Sequence, residues 1–326
     1  MTLTLILSTN YNYSQVRVGD FSFAKSKFKK LNKKNLTRFT EKTTKFILPK
    51  IYPKSSFENI LNDVWNVTPF ELIIEDEFNE SDIKVNDALA QFMNIGITKT
   101  KTTTTKSKST GMTVNTWVRD INYSFHMLDF HIVDKMKKKP KENQIKWYSS
   151  KIGTIYFTPD ISLRKQAGAN SKNLKGDLLN FKLGYLKNFL EFMNNCIKNK
   201  ISTNLYDDYL KPELKNLKNN TLFIDKNFIY GYNPWKIETK ESPKIEELMG
   251  NYSFDYEVVD YQEIDKMIFN NQSSDFYYLM YNQINGIKII TIINGKTSDI
   301  IYQEVSSMSY NMNPKDFKKL DKRIKK

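Results

Sequence analysis

The chain has 326 residues, 40% of them hydrophobic and 13% aromatic, which suits one large or two smaller domains with real cores and is too apolar for a disordered chain. No apolar run has the length of a bilayer-spanning helix, so no helical membrane span is expected. The net charge of +14 invites a polyanion partner, but only five of the 50 basic residues are arginine (Arg17, Arg38, Arg119, Arg164 and Arg323). Arginine carries the planar fork that reads phosphates and guanine edges, so the lysine excess is read first as solvated surface.

Leu3, Leu5, Ile6 and Leu7 form a short apolar stretch ahead of Ser8 to Gln15, without the positive n-region of a full signal peptide. The segment resembles the tail of a secretory signal of the Bacteroidetes type, where cleavage commonly falls between a small residue and glutamine, here Ser14 and Gln15. Residues 1–20 are therefore expected to be a truncated signal, from a start codon placed too late. A disordered tail or a first strand is the other reading. The segment has no cysteine to acylate, which argues against a lipoprotein. Cys196 is the only cysteine, so neither an intrachain disulfide nor a cysteine metal cage is available.

Residues 21–43 are basic and weakly periodic, a lead-in or a surface helix. The first α/β module is expected over 44–160. Thr44 to Leu48 reads as a strand, and Ser55 with Glu58 as a capping box. Phe57, Ile60, Leu61 and Val64 then lie on one helix face, Phe70 to Ile74 is a second strand, and Glu77 and Phe78 lie in an acidic turn. A β-rich stretch follows from Gln91 through Thr102–Thr105 to a turn near Gly111. Later strands are expected at Ile121–Val133 and Thr154–Phe157, joined by a basic loop over Lys135–Lys141. A helical connector is expected over 161–219. Leu179, Leu183, Leu186, Leu190, Met193 and Ile197 repeat at steps of four and three, and Phe181, Phe189, Phe192 and Cys196 widen the stripe. A narrow seam of this kind makes a coiled coil, whereas the wide one favours a buried connector, with Gly184 permitting close packing.

The second module, 220–326, repeats the order. Thr221 to Ile224 is a strand, and Ser242-Pro243 starts a helix. Ile245, Leu248, Met249 and Tyr252 share a helix face, and Tyr256 to Val259 is a strand before Glu263 and Ile264. Asp275 to Tyr281, Ile287 to Ile293 and Ile300 to Tyr302 form a meander turning at Asn285-Gly286 and Asn294-Gly295. The fold class is thus α/β (α+β): two related β-α-β-plus-meander modules joined by a long buried helix.

Phe254 to Asp260, the strand from Phe276 to Tyr281, and the turn Gly295-Lys296-Thr297-Ser298 before Ile300-Ile301-Tyr302 resemble the α/β domains of the CsgG-like curli-secretion lipoproteins and of the N-terminal part of TolB. The likeness covers about a hundred residues and departs from the pattern at Ser298, where the pattern has glycine. No catalytic motif travels with it. It implies a cell-envelope interaction module.

Chemistry is sparse. His126 and His131 differ by five and point to opposite faces of a strand, so they cannot chelate together. Asp129 and His131 share a face and are read as a pair on the sheet surface rather than a dyad. Phosphate loops, dinucleotide fingerprints, zinc spacings and nucleophile elbows are absent. Glu75, Asp76 and Glu77, and Asp260 with Glu263, read as solvated turns. The run Lys99 to Lys108 reads as an exposed hairpin without interleaved aromatics. The basic segment Lys315 to Lys326 is too polar to insert into lipid. No catalytic, cofactor-binding or metal-binding residue is expected. The expectation is a non-enzymatic, exported protein of the cell envelope, periplasmic or secreted rather than cytoplasmic, that acts by contact with a protein partner and not through specific nucleic-acid binding. The alternative is a basic polyanion-binding protein; a hydrolase has no residue to carry it.

Overall fold

The computed structural model describes residues 15–22, 27–139, 144–166, 176–270 and 274–326. In chain order, β1 (Val16–Val18), the hairpin β2 (Asp20–Ser22) and β3 (Lys27–Lys29), and α1 (Lys33–Thr40) lead into β4 (Thr44–Leu48), α2 (Lys54–Val64) and β5 (Phe70–Ile74). Then come β6 (Ala88–Lys106), β7 (Thr113–Lys139), β8 (Gln144–Phe157), α3 (Ile161–Lys165) and α4 (Leu183–Lys198). The second half contains β9 (Tyr209–Leu210), β10 (Leu222–Asp225), β11 (Gly231–Asn233), β12 (Glu238–Lys240), α5 (Ile245–Met249), β13 (Tyr256–Val259) and α6 (Tyr261–Phe269). β14 (Tyr277–Ile284), β15 (Ile287–Asn294), β16 (Ile300–Ser307) and α7 (Pro314–Lys325) complete it.

Two six-stranded mixed sheets result, with orders β1-β8-β7-β6-β4-β5 and β9-β16-β15-β14-β10-β13. The orders coincide place for place. β4 is parallel to both β5 and β6, β10 is parallel to both β13 and β14, and every other pairing is antiparallel. A helix, α2 or α5, joins the first two parallel strands of each module. The two-module α/β reading therefore holds, and it extends further than the sequence pattern reached. Each sheet ends on a strand that precedes its module in the chain, and each meander is followed by a helix, α4 or α7, that packs on α2 or α5.

Local corrections have physical reasons. α2 begins at Lys54 with Pro53 as its cap and no side-chain cap bond, because the preceding Pro53 lets the helix start one residue before Ser55. The second helix starts at Ile245, after Ser242-Pro243. The acidic stretch after β5 carries two tight turns, Glu75–Glu77 and Glu80–Asp82, whereas the second module has the nine-residue α6 there. Lys135–Lys139 is strand, not loop. β7 continues through it in register with β8, and the Lys137 and Lys146 ammonium groups lie 5.9 and 5.4 Å from the centre of the Tyr148 ring. Val16–Val18, inside the signal-like span 1–20, is a fully buried edge strand. Residues 1–14 lie outside the described residues. The basic lead-in contains α1, capped by Asn32 and buried at Leu36 and Phe39.

α4 is buried nearly all round, including Lys187, Asn188 and Asn194. It lies between the modules. Toward the first, Asn194 Oδ1 accepts from the N–H groups of Asn66 and Val67 at 2.9 and 3.0 Å, and Lys187 reaches Asp63 at 2.7 Å. Toward the second, Asn188 Nδ2 donates to Tyr278 Oη at 3.0 Å, and Tyr185 stacks on Tyr278 with ring centres 5.5 Å apart. Gly184 is the second residue of the helix rather than a mid-helix position. A Cβ there would lie 2.5 Å from Asp265 Oδ1 on α6, which explains the glycine. Leu179 falls before the helix. Ser298, the departure from the resembled turn, takes the left-handed φ of +58° that suits glycine, and its hydroxyl bonds Glu191 at 2.7 Å. Deep in the second module, Lys288 and Asp316 form a 2.6 Å pair that ties β15 to the first turn of α7.

Leu186 and Leu190 are each 1% exposed. Leu190→Ala should lower unfolding free energy by about 2–5 kcal/mol, read from the denaturant midpoint. An unchanged midpoint would mean that the helix is not packed between the modules. Lys288→Met should cost roughly 3–5 kcal/mol by leaving the Asp316 carboxylate buried without its cation, and the added replacement Asp316→Leu should recover part of that loss.

Candidate functional site

Three places bring together the residues that chemistry would need: the outer face of the first sheet, the carboxyl ends of the parallel strands in the second, and the hairpin of β6 and β7.

β7 alternates across the first sheet. Leu128, Phe130 and Ile132 enter the main core, and Met127, Asp129, His131 and Val133 line the other face. His126 and His131 thus lie on opposite faces, as their spacing predicts. A bulge places Lys151 opposite His131, with Ile152 the extra residue of β8. Asp129 is not a surface group: it is 3% exposed and His131 1%. Its Oδ1 accepts from Lys151 Nζ and from Thr154 Oγ1, each at 2.9 Å, and Oδ2 lies 3.4 Å from His131 Nδ1. Thr154 Oγ1 in turn accepts from Arg17 Nη2 at 2.9 Å. The Arg17 guanidinium is fully buried on β1 between the rings of Tyr156 and Phe21, at 5.2 and 5.7 Å. Burial pushes the Asp129 carboxyl up, but Lys151 and His131 together hold it below the usual carboxylate range. His126 is pushed down to about 4 by burial, with Arg164 adding to the effect, so it is neutral. The arrangement is a sealed relay from Arg17 through Thr154 to Asp129 that clamps the edge strand β1 onto β8 and β7. The weakly spaced Asp-x-His pattern marked two members; Arg17, Thr154 and Lys151 come from distant strands.

In the second module β10 has a parallel neighbour on each side, and the crevice beyond their carboxyl ends is the usual ligand position of such sheets. Asp225 ends β10 there. Its Oδ2 accepts from Tyr185 Oη at 3.0 Å and its Oδ1 from Asn227 N and Nδ2, each at 2.9 Å. Asp265 on α6 accepts from Gly184 N at 3.1 Å. Burial raises both carboxyls, Asp265 to about 6, with Asp225 raising it further and the Gly184 N–H and Lys182 opposing. The first turn of α4 fills the crevice and takes the hydrogen bonds that a ligand would take. Asp260 and Glu263, the carboxylates singled out in the sequence, are neither of these two; Asp260 pairs at the surface with Lys226. The missed residue Asp225 has a local signal, since aspartate at a strand end followed two residues later by asparagine is an Asx turn. Asp265 has none. Glu75 to Glu77 form a solvated turn, as read: Lys50 meets Asp76 at 3.5 Å and Lys54 meets Glu77 at 3.3 Å, all well exposed. Among the described residues no group of three or more His, Cys, Asp or Glu side chains is arranged to hold a metal ion.

The lysine run lies on β6, paired with β7 from Ile95–Phe125 out to Lys106–Thr113, around a turn in which Gly111 takes φ +68°. β8 pairs with β7 only from His126 onward, so among the described residues this stretch is a two-stranded arm with no strand paired to either outer edge. At about 3.3 Å per residue it extends roughly 35 Å. Near its end Met112, Val114 and Val118 are 60–72% exposed. The run on its own strand lacks aromatics, but the ladder sets Trp117 opposite Thr103, and Arg119 opposite Lys101.

Two measurements check these assignments. Asp265 has its folded-state value above the ordinary one, so the protonated form favours the fold, and that contribution is lost as pH rises from about 4 through about 6. Asp265→Asn, which retains an acceptor for Gly184, should leave stability unchanged near pH 3.5 and raise it by roughly 1–3 kcal/mol at pH 7. Thr154→Val removes the one side-chain hydrogen-bond partner that Arg17 has among the described residues, and one donor to Asp129. It should destabilise by about 2–4 kcal/mol in urea unfolding, well beyond what a shape-conserving change at an inert position costs.

No helix among the described residues is long and apolar enough to cross a membrane, which leaves strands aside. No family model matches the chain, and no curated protein or solved structure matches it.

Proposed function

We propose that the protein is a non-enzymatic component of the cell envelope, periplasmic or secreted, which acts by holding a protein partner with its β6–β7 arm. The arm's open edges are the observation that carries this reading. A two-stranded ribbon is marginally stable alone and gains hydrogen bonds from an added strand. The exposed Met112, Val114 and Val118 offer such a partner apolar contact. Lys99, Lys101, Lys106, Lys108 and Arg119 outnumber the single acid Asp120, so arms of two copies repel and the partner strand is neutral or acidic. The signal-like N-terminus supports export, and β1 starts at Val16, so cleavage between Ser14 and Gln15 leaves every described element in place. The likeness to CsgG-like and TolB N-terminal domains adds an envelope context by analogy.

The second reading, polyanion binding, rests on the same arm. Its sequence is rich in cations, and the strand register sets Trp117 across from Thr103, so basic residues and an aromatic one share the arm. One variant separates the two. Replacing residues 98–122 with Asn-Gly should leave thermal unfolding within a few degrees of the full chain. Cross-linking in envelope fractions of the native cell should yield a discrete protein adduct for the full chain and none for the shortened one. Heparin and duplex DNA should bind the full chain only weakly, with Kd of about 10⁻⁴ to 10⁻⁶ M at physiological salt, and weaken steeply as salt rises. Tight, salt-resistant DNA binding that disappears with the arm, alongside an unchanged adduct, would reverse the order of the two readings.

A further inference from the structure

The two sheets end on equivalent strands, and only one of those ends is closed. In the first module Val18 of β1 points its backbone away from β8. It donates to Thr203 O at 3.2 Å and to Thr203 Oγ1 at 2.7 Å, and accepts from Thr203 N at 3.0 Å. The Thr203 hydroxyl also donates to Val16 O at 3.0 Å. One residue of extended chain thus completes the edge, as an antiparallel bridge.

β9 holds the same place in the second sheet. Lys211 N donates to Ile301 O at 2.9 Å, and the register sets Leu210 opposite Tyr302. Antiparallel ladders alternate between bonded and non-bonded pairs, so the N–H and C=O of Leu210 point outward, as those of Val18 do. Among the described residues nothing takes the part of Thr203 there, and Leu210 is 45% exposed. A groove of about 450 Å³ adjoins this edge, walled by Leu210, Tyr302 and Glu304 and by Lys319, Lys322 and Arg323 of α7. Its acids are already engaged. Glu304 accepts from Tyr302 Oη at 2.7 Å and from Lys319 Nζ, and Asp208 Oδ1 accepts from Val305 N at 2.9 Å. Lys322 and Arg323 are exposed and have no carboxylate within ion-pair distance among the described residues.

We infer that this groove binds an acidic, extended segment of another protein, which adds to the sheet at Leu210 and sets a carboxylate against Arg323 and Lys322. The two features select together. The open backbone pair demands an extended peptide, and the uncompensated guanidinium, whose fork fits a carboxylate, demands an acidic side chain beside it. The site belongs to the second module and does not depend on the β6–β7 arm.

The test uses the full chain and a fluorescent peptide of alternating glutamate and valine, with the same peptide N-methylated on alternate backbone nitrogens, and an oligonucleotide of similar charge. Three variants accompany them: Leu210→Pro, which removes the outward N–H together with the leucine side chain, Lys322→Ser with Arg323→Ser on the exposed face of α7, and the arm-shortened chain. The expected result is saturable binding of the plain peptide that weakens at least about tenfold for Leu210→Pro, for the double serine variant and for the N-methylated peptide, and is unchanged by loss of the arm. Binding indifferent to N-methylation, or an oligonucleotide that competes equally, would reduce the groove to a patch of charge and overturn the inference. So would absence of saturable binding, or loss that follows the arm. The double serine variant touches no buried side chain, so the inference remains exposed to refutation even if Leu210→Pro disturbs the edge strand.

Discussion

Everything in this molecule is arranged around the burial of α4. A helix with apolar residues on one stripe packs on one sheet; α4 carries Tyr185, Leu186, Phe189, Leu190, Phe192, Met193 and Cys196, and is covered from two sides. Each polar residue it buries is satisfied by a specific partner. Asn194 accepts from the backbone that follows α2, Asn188 meets Tyr278, and Lys187 crosses to Asp63. These bonds fix how the two modules sit, because an alternative docking would strand an amide or an ammonium in a dry interface. The main core is accordingly one cluster running from Val16 to Ile324.

The same burial closes the place where a mixed sheet of this kind would hold a ligand. The crevice beyond β10 and β13 contains a buried carboxyl, a half-buried one and the backbone of a helix start, the ingredients of a binding site, and they are turned on each other. Asp265 receives the Gly184 N–H, and Asp225 receives Tyr185 and Asn227. On the first sheet, too, the charged residues face inward and hold strands together. Among the described residues, the backbone left unpaired includes the edges of the β6–β7 arm and the outer edge of β9.

The likeness of the two modules without recognisable sequence identity makes physical sense. The strand order depends on where apolar alternation and turns fall, and many residues serve those needs equally well. Phe70 to Ile74 and Tyr256 to Val259 occupy one place with almost no shared residue, whereas the connections diverge freely: two short tight turns in one module, nine residues of helix in the other.

Local signals in the sequence determined the strands Thr44–Leu48 and Phe70–Ile74, the Asn285-Gly286 turn, the helix face through Leu186 and Leu190, and with them the two-module order. Each depends on residues within a few positions of one another, where period and turn chemistry act directly. The tertiary structure alone decided the rest. Lys135–Lys139 is strand because β8 lies alongside it, Val16–Val18 is a sheet edge because Arg17 reaches Thr154 from 137 residues away, and Gly184 is needed because Asp265 of another helix presses on it. Asp129 was legible as the partner of His131 but not as buried, since burial depends on what covers a face. The open place at Leu210 could be recognised only by laying one sheet over the other. The physical reason is common to all of these: a contact between distant residues leaves no periodicity in either segment, so the sequence records the shape of each element and the fold records what each one meets.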